Sequence, residues 1–151
     1  LEAVPPRGYL AILAYLDRVG DADAAALRPQ LASRLSAAGG PQVTFGWGPR
    51  YLHSTGQYHK GGPQNGAFLQ ITGALPGQLG ADLPVPGRPY TFGRLETAQA
   101  LGDLRALAGR GRPAVRLHLR DRETGLRRLH AAIRELPDVP WTPGESRVRG
   151  P

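Results

Sequence analysis

The run Tyr9-Leu-Ala-Ile-Leu-Ala-Tyr-Leu16 constrains the fold more than any other segment of the chain. It is apolar at every position, carries aromatic and branched residues, and is bounded by Pro5-Pro6 and Asp17. A strand with one wet face would alternate, so a strand that is apolar throughout must be covered on both faces, as in the interior of a parallel sheet. The segment from Asp21 to Ala38 then places Ala24, Leu27, Leu31 and Leu35 at helical spacing and stops at Gly39-Gly40, which predicts an amphipathic helix. Pro29 inside it marks either a kink or the true first turn. Gln42-Val-Thr-Phe45 predicts a second strand stopped by Gly46-Trp-Gly-Pro49, and Ala67-Phe-Leu-Gln-Ile71 predicts a third.

Residues 73 to 90 hold Pro76, Pro84, Pro86 and Pro89 and read as an irregular crossing. Phe92 to Ala108 predicts a helix with Ala100, Leu101, Leu104 and Leu107 on one side. Ala114-Val-Arg-Leu-His-Leu119 predicts a fourth strand, and Leu126, Leu129, Ile133 and Leu136 form a final helical stripe. Such alternation implies an α/β domain over residues 1–136, with a mainly parallel sheet of about four strands and helices on both faces. Residues 137–151 lack periodicity and read as an extended tail, with Trp141 as an anchor.

Composition narrows the function classes. At 151 residues and 40% hydrophobic the chain suits one domain. The absence of Cys excludes a disulfide framework, a thiolate metal site and a Cys nucleophile. There is no Met and the chain opens Leu1-Glu2-Ala3, so it is expected to be a piece of a longer polypeptide. No apolar run approaches the roughly 18 residues of a membrane helix, and the expected location is the cytoplasm. The net charge of +7 raises the question of nucleic acid. Arginines are scattered from Arg7 to Arg149, however, and no aromatic residue interleaves with the cluster from Arg116 to Arg128. A solvated basic surface fits better than a nucleic-acid groove.

Chemistry concentrates in Tyr51-Leu-His-Ser-Thr-Gly-Gln-Tyr-His-Lys60, which reads as a loop following the second strand, at the strand end where α/β sheets collect ligands. A metal site is disfavoured: His53 and His59 lie roughly 240 degrees apart on a helical wheel, and no acidic residue falls between Asp23 and Asp82. A serine hydrolase is disfavoured because Ser54 lacks the G-x-S-x-G elbow. Two readings stay open at this level: a phosphate or sugar site built from hydroxyls, an amide and backbone N–H groups, or a Gly-rich loop in which His53 and Gln57 satisfy backbone groups.

The stretch Gly48-Pro-Arg-Tyr-Leu-His-Ser-Thr-Gly-Gln-Tyr-His-Lys-Gly-Gly-Pro63, followed by Gly66-Ala-Phe-Leu-Gln-Ile-Thr72, resembles the carboxy-terminal half of glucose-6-phosphate isomerase. It is most similar to the form fused to transaldolase, and the likeness continues through Pro86-Gly-Arg-Pro-Tyr-Thr-Phe-Gly93 and Ala98-Gln-Ala-Leu-Gly-Asp-Leu104. The resemblance implies a three-layer sandwich of the sugar-isomerase (SIS) type and glucose 6-phosphate/fructose 6-phosphate interconversion, as in glycolysis and gluconeogenesis, without cofactor or metal. It implies that His53 passes a proton to the ring oxygen during ring opening, commonly in the active site of a neighbouring subunit, hence a homodimer. Ser54, Thr55 and Gln57 would orient it or touch sugar hydroxyls.

Two positions depart from the family pattern. Leu101-Gly102 is followed by Asp103 where many members carry a catalytic Lys, and Glu96 stands where a Gln often precedes that Lys. Asp103 is therefore grouped with the substrate-contacting candidates, and Lys60, the one lysine of the chain, is the candidate substitute. The resemblance places the enediol-forming Glu and the main phosphate loop upstream, so the chain is expected to supply half of an active site. A non-catalytic module that binds sugar phosphates is the competing expectation.

Overall fold

The computed structural model describes residues 4, 8–37, 40–74 and 82–136. The expected tail at 137–151, with Trp141, lies outside the described residues, as do residues 75–81 of the expected crossing. Four strands, β1 (Tyr9–Tyr15), β2 (Gln42–Trp47), β3 (Gly66–Gly73) and β4 (Ala114–Leu119), form one sheet in the order β2-β1-β3-β4. All three pairings are parallel. As its sequence demanded, β1 is interior: Leu10 through Tyr15 are buried, with β2 on one side and β3 on the other.

Helices α1 (Leu27–Ala37), α2 (Thr55–Gly61), α3 (Phe92–Ala108) and α4 (Arg122–Arg134) complete the domain. Their placement follows from handedness. The connection from β1 to β2 steps one way across the sheet, and those from β2 to β3 and from β3 to β4 step the other way. Right-handed crossovers therefore put α1 on one face and α2 and α3 on the opposite face. Accordingly Leu27, Leu31 and Leu35 of α1 and Leu126 and Ile133 of α4 share one core with Leu10, Ile12 and Ile71. Ala100 and Leu107 of α3 share the other with Ala11, Leu13, Tyr15, Tyr51 and Phe68. The result is a three-layer α/β sandwich. Among the described residues no helix is long and apolar enough to cross a membrane.

Local sequence explains most boundaries. Thr91 Oγ1 accepts from Arg94 N at 3.3 Å and Asp82 Oδ1 from Gly93 N at 2.8 Å, so the first turn of α3 is capped twice. Asp121 caps α4 through Thr124 N at 2.7 Å. Three expectations are corrected. The predicted helix from Asp21 begins as a 3-10 turn, Ala22–Ala26, and becomes α-helical at Leu27. Pro29 is its third residue, where a missing N–H costs no hydrogen bond. β2 does not stop at Gly46: Gly46 and Trp47 stay paired with Leu13 and Ala14, because the uninterrupted partner strand continues the ladder. Finally, the expected loop at 51–60 is a 3-10 turn, Arg50–His53, followed by α2.

Leu107 is fully buried between α3 and the sheet, whereas Val115 on the edge strand β4 is 60% exposed. Leu107→Ala should lower unfolding free energy by about 3 kcal/mol, and Val115→Ala by no more than about 0.5 kcal/mol, in urea melts.

Candidate functional site

The polar stretch folds into helix because distant groups hold it. A seven-residue helix containing Gly56 and Gly61 is marginal by itself, and Ser54 at its start makes no side-chain capping bond. At its other end the buried Arg112 guanidinium donates to Lys60 O at 3.2 Å, Gly62 O at 2.6 Å and Pro63 O at 2.8 Å. A cation there satisfies helix-end carbonyls and complements the helix dipole. Two glycines permit the close packing. A Cβ on Gly48 would lie 2.6 Å from the Tyr15 ring, and one on Gly56 would lie 2.9 Å from Tyr51 O.

The buried side of α2 is His59. Its Nδ1 is hydrogen-bonded with the Tyr9 hydroxyl at 2.8 Å, and its ring meets Phe68 edge-on with centroids 5.2 Å apart. Burial holds the His59 pKa below the ordinary imidazole value, so the neutral ring is favoured. Beside it runs a buried polar chain. Asp103 of α3 receives Lys60 Nζ at 3.0 Å on one carboxylate oxygen and the Tyr51 hydroxyl at 2.5 Å on the other. The Tyr15 and Tyr51 hydroxyl oxygens lie 3.1 Å apart, and with the Tyr51 proton on Asp103 the Tyr15 hydroxyl is the donor. Burial pushes both phenols above their usual range.

The residues singled out from sequence thus separate into groups. Lys60 and Asp103 come together as an ion pair, with side chains 19% and 3% exposed. Ser54 and Gln57 bond back to the backbone of their own motif, at Tyr51 O (3.3 Å) and Leu52 O (2.8 Å). Thr55 lines a small cleft of about 230 Å³ with Tyr9, Thr44, Tyr58 and His59. His53, at the end of the 3-10 turn that follows β2, is exposed and makes no hydrogen bond or ion pair with another described residue. Among the described residues no group of three or more His, Cys, Asp or Glu side chains could hold a metal.

Sequence reasoning missed a second locus. Connections leave β1 and β3 in opposite directions, so a crevice is expected beyond their carboxyl ends. One of about 330 Å³ lies there, between the first turns of α3 and the sheet. Tyr15, Thr72, Arg116 and His118 line it from the strands, and Glu96 and Thr97 from α3. His118 Nδ1 lies 2.9 Å from Thr72 Oγ1. Arg122, also on the rim, is anchored to Asp21 at 3.0 Å and to Ala74 O at 2.9 Å. Burial raises the Glu96 pKa above the usual carboxylic value. The sequence signal available was the i, i+2 spacing of Arg116 and His118, which puts both on one face of β4.

No protein-family model matches the chain, and no curated protein matches it. Among solved structures, the crystal structure of a hypothetical protein from Thermus thermophilus is similar, with a TM-score of 0.66 over 84% of this chain at 17% sequence identity. This chain spans about a third, 34%, of the length of that protein. The likeness establishes the fold.

The neutral His59 has a pH consequence. Its folded pKa is depressed, so its contribution to stability is present above the unfolded value of about 6.5 and is lost as pH falls towards the folded pKa. Wild-type unfolding free energy should therefore drop more steeply than that of His59→Gln between pH 7 and 5. Parallel pH profiles in urea titrations would contradict the assignment.

Proposed function

We propose that this chain is the carboxy-terminal part of a cytoplasmic glucose-6-phosphate isomerase and that it contributes His53 to ring opening. The carrying observation is the way His53 is mounted. The imidazole is exposed at the end of a 3-10 turn, while the elements around it are fixed by Arg112, by the Lys60–Asp103 pair and by Tyr51. An exposed, unpartnered imidazole on a braced support suits delivery to a ligand held by a second element, here the upstream half of the parent chain or a neighbouring subunit. A transaldolase fused ahead of that half belongs to the same reading.

In the proposed step His53 gives a proton to the pyranose ring oxygen as the bond from C1 to that oxygen breaks, and the C1 hydroxyl passes its proton to solvent water as the C1 carbonyl forms. An imidazole can both hold and release a proton, which suits it to such a transfer. Transfer of hydrogen between C1 and C2 through the enediol then requires a carboxylate from the upstream half. Lys60, whose ammonium lies against Asp103, would assist through the field of the pair.

That same ion pair favours a second reading, a sugar-phosphate-binding module without turnover, because both charges are already satisfied within the fold. The parent protein separates the two. With isomerase activity present, His53→Ala should cost about 100-fold or more in kcat on cyclic glucose 6-phosphate and much less on substrate supplied in the open-chain form. Equal loss on both forms removes His53 from ring opening. Absence of isomerisation by the purified wild-type parent, with ligand binding retained, selects the non-catalytic module.

A further inference from the structure

On the face of the sheet opposite α2 and α3, a groove of about 320 Å³ opens between α1 and α4. Leu10 of β1 and Leu69 of β3 belong to its floor, and Leu31 of α1 with Ala132 and Ile133 of α4 to its walls. Every described residue that lines it is apolar, so no side chain there offers a charge or a hydrogen bond to a polar ligand. The groove is not sealed. Val115, on the edge strand, is 60% exposed, and Ala132 is exposed as well. A continuous apolar surface left open to water calls for a cover.

We propose that the cover is this chain's own carboxy-terminal segment, with the indole of Trp141 seated in the groove. The choice of occupant rests on where the described residues end. Leu136 is itself part of the lining, so the fifteen residues 137–151 leave from the edge of the groove. α4 already ends at Arg134, and Pro137 and Pro140 favour extended backbone over a further helical turn. Trp141 follows Leu136 by five residues, a reach of at most about 17 Å, whereas Leu129 and Leu136, seven residues apart, are separated by about 10 Å at the rise of a helix. The ring can therefore be set anywhere along α4 between them.

Chemistry selects the same residue. Trp141 is the one aromatic residue between 137 and 151, and an indole carries a large apolar surface with a single donor, which water at an open mouth can accept. Its neighbours Asp138, Thr142, Glu145 and Ser146 are polar and suit the wet side of such a cover. Docking would clamp α4 and α1 onto the sheet. It involves neither His53 nor the Lys60–Asp103 pair and does not rest on the isomerase reading.

The test uses the 151-residue chain, which holds two tryptophans, Trp47 and Trp141. Trp47→Phe isolates the fluorescence of the second. Melting curves would establish that each variant folds, and Trp141→Phe in an otherwise wild-type chain assigns the two indole N–H resonances independently. The expected Trp141 emission is blue-shifted and shielded from acrylamide, its ring protons show nuclear Overhauser contacts to the methyl groups of Ala132 and Ile133, and both signals are independent of protein concentration. Ala132→Lys, which places a charge on the exposed wall of the groove, should release the ring. Val19→Lys, at an exposed position outside the groove, should not. Trp141→Ala should raise the ratio of unfolded to folded chain about tenfold or more, and by less than about threefold when Ala132→Lys is already present, because the two changes act on one contact. Emission typical of a solvated indole, a buried indole without contact to the groove methyls, or an equal response to Ala132→Lys and Val19→Lys would each overturn the proposal. Burial of Trp141 that develops only as the chain dimerises would overturn it too, giving the groove to a second copy.

Discussion

The carboxylate of Asp103 is the constraint on which the arrangement of the polar face depends. Its side chain is 3% exposed, and an isolated charge at such a position would be expelled or neutralised. Lys60 answers one oxygen and Tyr51 the other. Because Lys60 belongs to α2 and Tyr51 to the preceding 3-10 turn, satisfying Asp103 fixes both pieces of the His53-bearing segment against α3. The alternative, removing one partner and leaving a buried charge unpaired, costs about 3–5 kcal/mol, far more than a seven-residue helix can recover from its own hydrogen bonds. An acidic residue at position 103 thus has a structural account: it ties Lys60 of α2 and Tyr51 of the 3-10 turn to α3.

Arg112 acts with this pair from the other end. Its guanidinium reaches three carbonyls around the end of α2, two of them beyond the helix, and so fixes where the chain turns towards β3. Tyr15 carries the network to the crevice above the sheet. The two loci are therefore not independent ornaments on a sandwich. One rigid polar chain, from Lys60 through Asp103 and Tyr51 to Tyr15, runs beneath both.

The sheet and its larger helices were legible in the sequence because their signals are periodic and local. β1 announced itself by unbroken apolarity, α3 by its apolar stripe, and β4 by alternation, and α3 and β4 occupy the expected residues. α2 was not legible, since its stabilising partners, Tyr9, Phe68, Asp103 and Arg112, stand far away in the chain and its own composition is that of a loop. The strand end at Gly46 was misread for the same kind of reason: the residue's local preference yields to a ladder completed by Leu13. The crevice was invisible because Arg116 and His118 each look like solvated surface, and Glu96 was noted only as a departure from the isomerase pattern, until the topology assembles them.

Whether the buried Asp103 carboxylate holds the His53-bearing segment in place is tested most directly by amide hydrogen exchange in wild type and Asp103→Asn. Asn keeps the size and removes the charge that Lys60 and Tyr51 answer. Protection of the amides from His59 to Gly62, at the end of α2, is predicted to fall about tenfold or more relative to that of β1, whose ladder does not involve Asp103. Unchanged protection of those amides relative to β1 would contradict a bracing role for Asp103.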